Sequence, residues 1–281
     1  MPYRSVLVWA LGILLVLGTF FIFVGAGWPG SPDSCLDGTP AKADTCFCEA
    51  FDVADVEAHR PGVRQPVNTW FNLYAIFTSL IVALVLMGDR RRLAAGASSP
   101  NLMRSNSLVP DLYVFAVLFL GLGSMWFHAS IVAWGGLIDG MSMYAYAAFL
   151  VFYSVHRIWP SAVFFWLGYV GTVLLFTFAL HGRLPSEVNI GVLVVAYLVL
   201  EIVIWVRTKQ VMLGRAYPIA LWASAVAAIL WATAFWALSQ TGKKLCDPQS
   251  AFQPHGMLWH PLAGVMAVLL YFYWREAKDP V

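Results

Sequence analysis

The chain alternates between apolar stretches of about twenty residues and shorter polar breaks, and an apolar stretch of about that length crosses a bilayer as a helix. The first runs from about residue 5 to 26 and is closed by Pro29 and Pro32. Seven more follow, at roughly 68–88, 111–132, 137–156, 160–181, 187–206, 217–238 and 257–274. The pattern predicts an all-α protein, a polytopic membrane helix bundle. Its expected organisation is an N-terminal transmembrane anchor helix over 1–27, an acidic, cysteine-containing loop over 28–67, and a seven-helix bundle over 68–281. Ala26-Gly27 resembles a small-residue cleavage site, but the first apolar run is longer than the roughly 7–15 residues of a signal-peptide core. A retained anchor is the expectation.

Composition supports this reading. Hydrophobic residues make up 60% of the chain and charged residues 11%, against about a quarter charged in soluble domains. No basic run interleaved with aromatics, glycine-rich phosphate loop or fixed-period repeat is present, which argues against nucleic acid as a partner. With the N-terminus placed in the cytoplasm, the inner segments hold Arg4, Arg90, Arg91, Arg92, Arg104, Arg157, Arg207, Lys209, Arg215, Arg275 and Lys278. The outer ones hold Lys42, Arg60, Arg64, Arg183, Lys243 and Lys244. The positive-inside bias therefore predicts both termini inside. Short loops suit a bacterial inner membrane, with the periplasm as the outer side.

The same topology puts Cys35, Cys46, Cys48 and Cys246 on the outer side, where disulfides persist. Cys46 and Cys48 are poorly placed to pair with each other. A bridge from one of them to Cys246 would tie the long loop to the start of the last span, and a second bridge is open.

Candidate chemistry gathers at that outer end. Ser124 and His128 lie one turn apart on one helix face, near the end of the third span. Asp139 begins the fourth, beyond Gly135-Gly136, and His255 and His260 begin the last. Three histidines are the ligand set of catalytic zinc sites that keep a fourth position for water, and such a metal lowers the pKa of that water to about 7. A carboxylate beside it can take the proton and a hydroxyl can donate to a developing oxyanion, roles that suit Asp139 and Ser124; the aspartate could instead bind the metal, and the serine could bond a backbone carbonyl. His59, His156 and His181 have no evident partners and read as structural or solvated. Glu201, near Arg207, is expected to snorkel or to pair with that arginine.

At these residues the chain resembles the alkaline ceramidases. The likeness rests on SMWFH followed by an aspartate, a final-helix His…Trp-His, and an earlier Cys-Glu with Asn-Thr-x-x-Asn, and it covers about Cys46 to the C-terminus. Adiponectin receptors belong to the same wider group of seven-helix membrane proteins. The resemblance implies a seven-helix bundle, zinc near one membrane face, and cleavage of the ceramide amide into a fatty acid and a sphingoid base. It matches Ser124, His128, Asp139 and His260 to family site residues, and Asn68, Thr69 and Asn72 to the first family helix. The first span is additional to the family's seven.

Two departures stand out. The final histidines are four apart in the family and five apart here, about 140° apart on a regular helix. His255 would then fold in from before the helix, following Pro254, or a π-bulge would close the gap. At the positions matching the family's calcium site stand Cys46, Phe47, Cys48, Glu49, Phe51 and Gln65. Only Glu49 keeps a carboxylate there, with Asp44 or Asp52 as other acids, while calcium takes six to eight oxygens.

The expected function is zinc-dependent hydrolysis of a ceramide-like membrane lipid, with no protein partner implied. The alternatives are another acyl lipid on the same metal, or a receptor or lipid-binding protein braced by a structural zinc.

Overall fold

The computed structural model describes residues 3–33, 35, 47–98, 101–184, 186–208, 216–239 and 242–277. Among them eight helical segments are long and apolar enough to cross a membrane, and the architecture is an all-α polytopic bundle. The helices are α1 (Arg4–Ala26), α2 (Val53–Glu57), α3 (Pro66–Phe71), α4 (Tyr74–Ala94), α5 (Val109–Ser130), α6 (Ala133–Ile158), α7 (Ala162–Leu174), α8 (Ser186–Thr208), α9 (Ala216–Leu238) and α10 (His260–Glu276). Helix α7 continues as a π segment, Leu175–Leu180, and a π turn, His255–Trp259, leads into α10. Helices α3 and α4 form one span from residue 66 to 94, and the π turn and α10 form the last, from 255 to 276.

Burial orders the bundle. Of the apolar window of α5, 72% is buried, and of α6, 67%, against 6% for α1. Helices α5 and α6 therefore form the centre. Helix α4 packs on α5, α7 and α8 pack on α6, and α10 bridges α9 to α4. Helix α1 leans on α4 and α5 from outside and turns Leu7, Leu11, Leu14, Leu15, Phe21 and Ile22 outward, as lipid contact requires. It is anchored by Trp9 Nε1, which donates to Ser79 Oγ at 2.9 Å.

The bundle is fixed at its two ends by different means. At the end away from the histidines, charge does it. Arg90 makes a bidentate pair with Asp111 (2.8 and 2.9 Å), which Arg4 joins from α1. Arg275 pairs with Asp89 across α10 and α4, and Asn101 Nδ2 caps the final carbonyls of α10. Glu201 belongs to this end and corrects the sequence expectation. It neither snorkels nor pairs with Arg207. Its carboxylate is fully buried, 2.9 Å from Arg157 Nη1, and accepts from Ser154 Oγ and Tyr273 OH. A charge in apolar surroundings is retained only when paired and hydrogen-bonded, and Glu201 obtains both from α6 and α10.

At the other end the connecting segments do the work. Cys48 is bonded to Cys246, with their Cα atoms 5.4 Å apart. The sequence left Cys46 and Cys48 as alternatives for that bridge. Cys35 is disulfide-bonded as well, and Cys46 lies outside the described residues.

Candidate metal centre

Helix α5 ends where its last carbonyls are taken over by the loop that crosses it. Arg64 N donates to Ala129 O (3.0 Å) and Gln65 N to His128 O (3.1 Å), satisfying groups a helix C-terminus leaves unpaired. Ile131, at φ 52°, then turns the chain into α6. His128 thus sits in the last turn of α5, on a backbone held from both sides.

His255 and His260 reach the same point by a change of helix type. On a regular helix a five-residue spacing would splay them by about 140°. The π turn over His255–Trp259 inserts the extra residue, and Met257 N donates to Gln253 O at 2.8 Å as it begins. Its wider ring returns the chain to one face after five residues. Of the two routes open in the sequence, the structure takes the π-bulge. Gly256 makes it possible, because a Cβ there would lie 2.8 Å from Asn68 Oδ1 and 3.0 Å from Asn68 Cα. The turn therefore packs directly on the backbone of α3.

The three imidazoles converge. Their ring centroids are 4.9 Å apart for His255–His260, 5.2 Å for His128–His255 and 5.5 Å for His128–His260. One ligand nitrogen from each lies within 4.8 Å of the others, and the rings are 1%, 3% and 2% exposed in order of sequence. His255 Nδ1 and both ring nitrogens of His260 are buried without a well-formed hydrogen bond to the described residues. Buried polar atoms ordinarily have partners. Three ring nitrogens that converge this closely in a buried site can share one ligand, and this set can hold a metal ion.

Gln65 orients the third ring. Its Nε2 donates to Glu49 O at 2.8 Å, which turns Oε1 toward His128 Nδ1 at 2.7 Å. Nδ1 is then the donor and Nε2 is left for a metal, the arrangement in which an outer partner fixes a ligand's tautomer. The sequence placed Gln65 only at a calcium-site position, and nothing local to it signals a partner 63 residues away.

Glu49 serves the same loop. Its two carboxylate oxygens accept from Val67 N (2.7 Å) and Asn68 N (2.8 Å), capping the N-terminus of α3. Burial pushes its carboxyl above the ordinary range, and the two N–H groups oppose that. Asp52 caps α2 through Ala54 N, and Asp44 lies outside the described residues.

Ser124 and Asp139 are both buried, Ser124 one helical turn before His128 on α5 and Asp139 near the start of α6, and Ser124 lies close enough to act on the Asp139 carboxylate. The two helices come this close because Gly123 has no side chain. A Cβ there would stand 2.7 Å from Ser142 Cβ, and small residues let backbones in a membrane approach in this way. Tyr74, which the sequence did not single out, lies over His260 with ring centroids 6.4 Å apart, and it is near enough to Asp139 for their charges to interact.

His181, read from sequence as partnerless, accepts or donates at Nδ1 with Tyr144 OH (3.3 Å). Burial lowers its pKa, and the nearby Asp33 carboxylate works the other way. No family model matches this chain, and no curated protein matches it either.

Proposed function

We propose that the protein is a zinc-dependent membrane amidohydrolase of the alkaline ceramidase type, which cleaves the N-acyl amide of a ceramide-like lipid to a fatty acid and a sphingoid base. One observation carries the reading: three buried histidines converge, two of them with ring nitrogens that make no well-formed hydrogen bond, in a bundle that also buries Ser124 one turn before His128 and Asp139 near Tyr74, whose ring lies over His260. Imidazole donors suit zinc among the metals of that class, and His128, His255 and His260 would hold it, leaving one position of a tetrahedron to solvent or substrate. Zinc bound there supplies Lewis acidity to the water and to the scissile carbonyl.

The chain's own groups carry the protons. Asp139 accepts the proton that water loses as its oxygen bonds to the acyl carbon. It returns that proton to the nitrogen as the C–N bond breaks, so that the products leave as acid and amine. Ser124 holds the Asp139 carboxylate in place and donates to the oxyanion as charge develops on it. Glu49 caps the helix that carries Asn68 and so holds the floor of the site. It is not needed as a calcium ligand in this reading. The arginine and lysine bias, together with the Cys48–Cys246 bridge, supports a site on the outer face of the membrane.

The test is metal content and hydrolysis on one detergent-purified sample. The expected result is one zinc per chain and fatty-acid release from ceramide that chelation abolishes. Asp139→Asn should retain the zinc and lose about 10²–10⁴-fold in rate. Zinc without release from ceramide or any other acyl lipid would move the protein to a receptor or bracing role. Full activity in Asp139→Asn would remove that residue from the chemistry.

A further inference from the structure

Phe47 is not on a helix, yet its ring touches the histidine cluster. Its centroid is 4.9 Å from His255 at an interplanar angle of 35°, 5.3 Å from His128 at 79°, and 5.7 Å from Phe127 at 88°. The helices enclose the cluster on their side, and Phe47 lies across it from the loop.

The backbone that puts it there is strained. Phe47 has φ 55° and Cys48 φ 72°, two consecutive non-glycine residues in the left-handed region. Such geometry is costly and persists only where the surroundings impose it, most often at ligand clamps and active sites. Here the constraints are explicit. Cys48, fully buried, is bonded to Cys246. Ala50 N donates to Pro248 O at 3.3 Å, which ties the same two segments by backbone. Phe47 O accepts from Glu49 N (3.0 Å) and from Asn68 Nδ2 (3.4 Å). Glu49 in turn is fastened to α3 by both carboxylate oxygens. A ring needed only as apolar filling would not require a covalent strut and two strained residues to place it.

We infer that Phe47 is the shield that retains the metal, closing the histidine cluster on its loop side, and that the Cys48–Cys246 bridge is the fixed strut that holds it. The inference rests on the metal-site reading and is independent of which bond, if any, the protein cleaves. The apolar shell around a metal site governs solvent access to it. Loss of the ring should open a path for water and chelator, while all three ligands remain.

The experiment is zinc release. Full-length protein in detergent is loaded with zinc, mixed with excess chelator, and followed by the absorbance of the chelate. Phe47→Ala should release zinc on the order of 10–100-fold faster than wild type, Phe47→Trp at the wild-type rate, and Cys48→Ser/Cys246→Ser faster than wild type. If Phe47→Ala does not fold, Phe47→Met, which keeps the bulk but not the ring face, should also release faster. Release at the wild-type rate from folded Phe47→Ala or Phe47→Met overturns the shield. Wild-type protein that takes up no zinc overturns the metal-site reading itself, and the inference with it.

Discussion

Gln65 offers the sharpest test of how the centre is organised, because it touches the cluster without being able to bind a metal in it. Its side chain is fully buried; Oε1 accepts from His128 Nδ1 (2.7 Å) and from Asn68 Nδ2 (3.4 Å), and Nε2 donates to Glu49 O (2.8 Å). Gln65→Leu keeps the bulk and removes these bonds. The His128 N–H is then buried without an acceptor, at a cost of about 1–3 kcal/mol. Outer partners of metal-bound histidines are typically worth roughly 10–100-fold in affinity, or about 1.4–2.7 kcal/mol at about 1.4 kcal/mol per tenfold. The two figures describe one loss seen from two sides, and their agreement sets the expectation at one to two decades in Kd. Gln65→Glu keeps the acceptor for Nδ1 and gives up the donor to Glu49, so it should bind metal nearly as well as wild type. The assay is a zinc titration against a competing chelator of known affinity. If Gln65→Leu binds as tightly as wild type, the tautomer argument fails. If Gln65→Glu is as weak as Gln65→Leu, the contact that matters is the one to Glu49.

Three further outcomes are expected. Deleting Leu258 removes the extra residue of the π turn and leaves the two histidines about 40° apart on a regular helix, so metal content should survive. An alanine inserted after Met257 sets them about 120° apart and should abolish it, as metal analysis of the two proteins would show. Glu201→Ala leaves Arg157 buried without its partner and should destabilise the bundle by about 3–5 kcal/mol, read as a lower Tm in detergent. Arg157→Met/Glu201→Leu should recover most of that loss, and a double variant no more stable than the single would contradict it. Burial lowers the His181 pKa from 6.5, so the unfolded chain binds the proton more readily. Stability should be full above about pH 6.5 and fall as the pH drops below it. His181→Gln should flatten that slope in Tm against pH, and an unchanged slope would place its origin elsewhere.

Much of this could be read from one dimension. Apolar stretches of membrane length located the eight spans seen among the described residues, most of their ends to within a few residues, because a helix in lipid must satisfy its backbone internally and present apolar side chains nearly all round. The first turn of each span and the last shifted, as with Ala133 and Ile158 around the expected 137–156. Polar residues inside the spans stood out against that background, and His128, His255 and His260 were recognisable as candidates because their span ends fall at one membrane depth. Glu201 was equally conspicuous but misread. Its partner, Arg157, lies 44 residues away on another helix, and Arg207 was merely the nearest cation in sequence.

What sequence by itself determined was the list of elements, the depth of the polar residues and the chemical type of the cluster, since each follows from local hydrophobicity and side-chain identity. Tertiary structure decided what those residues do to one another. Five-residue spacing is unfavourable on an isolated helix, and the π turn that rescues it packs against the backbone of Asn68. Gln65 acquires its role from a loop laid over the end of α5, and Phe47 from a covalent bridge to a residue 198 positions away. These are contacts across long loops, specified by packing and geometry and not by any local pattern, so only the folded chain contains them.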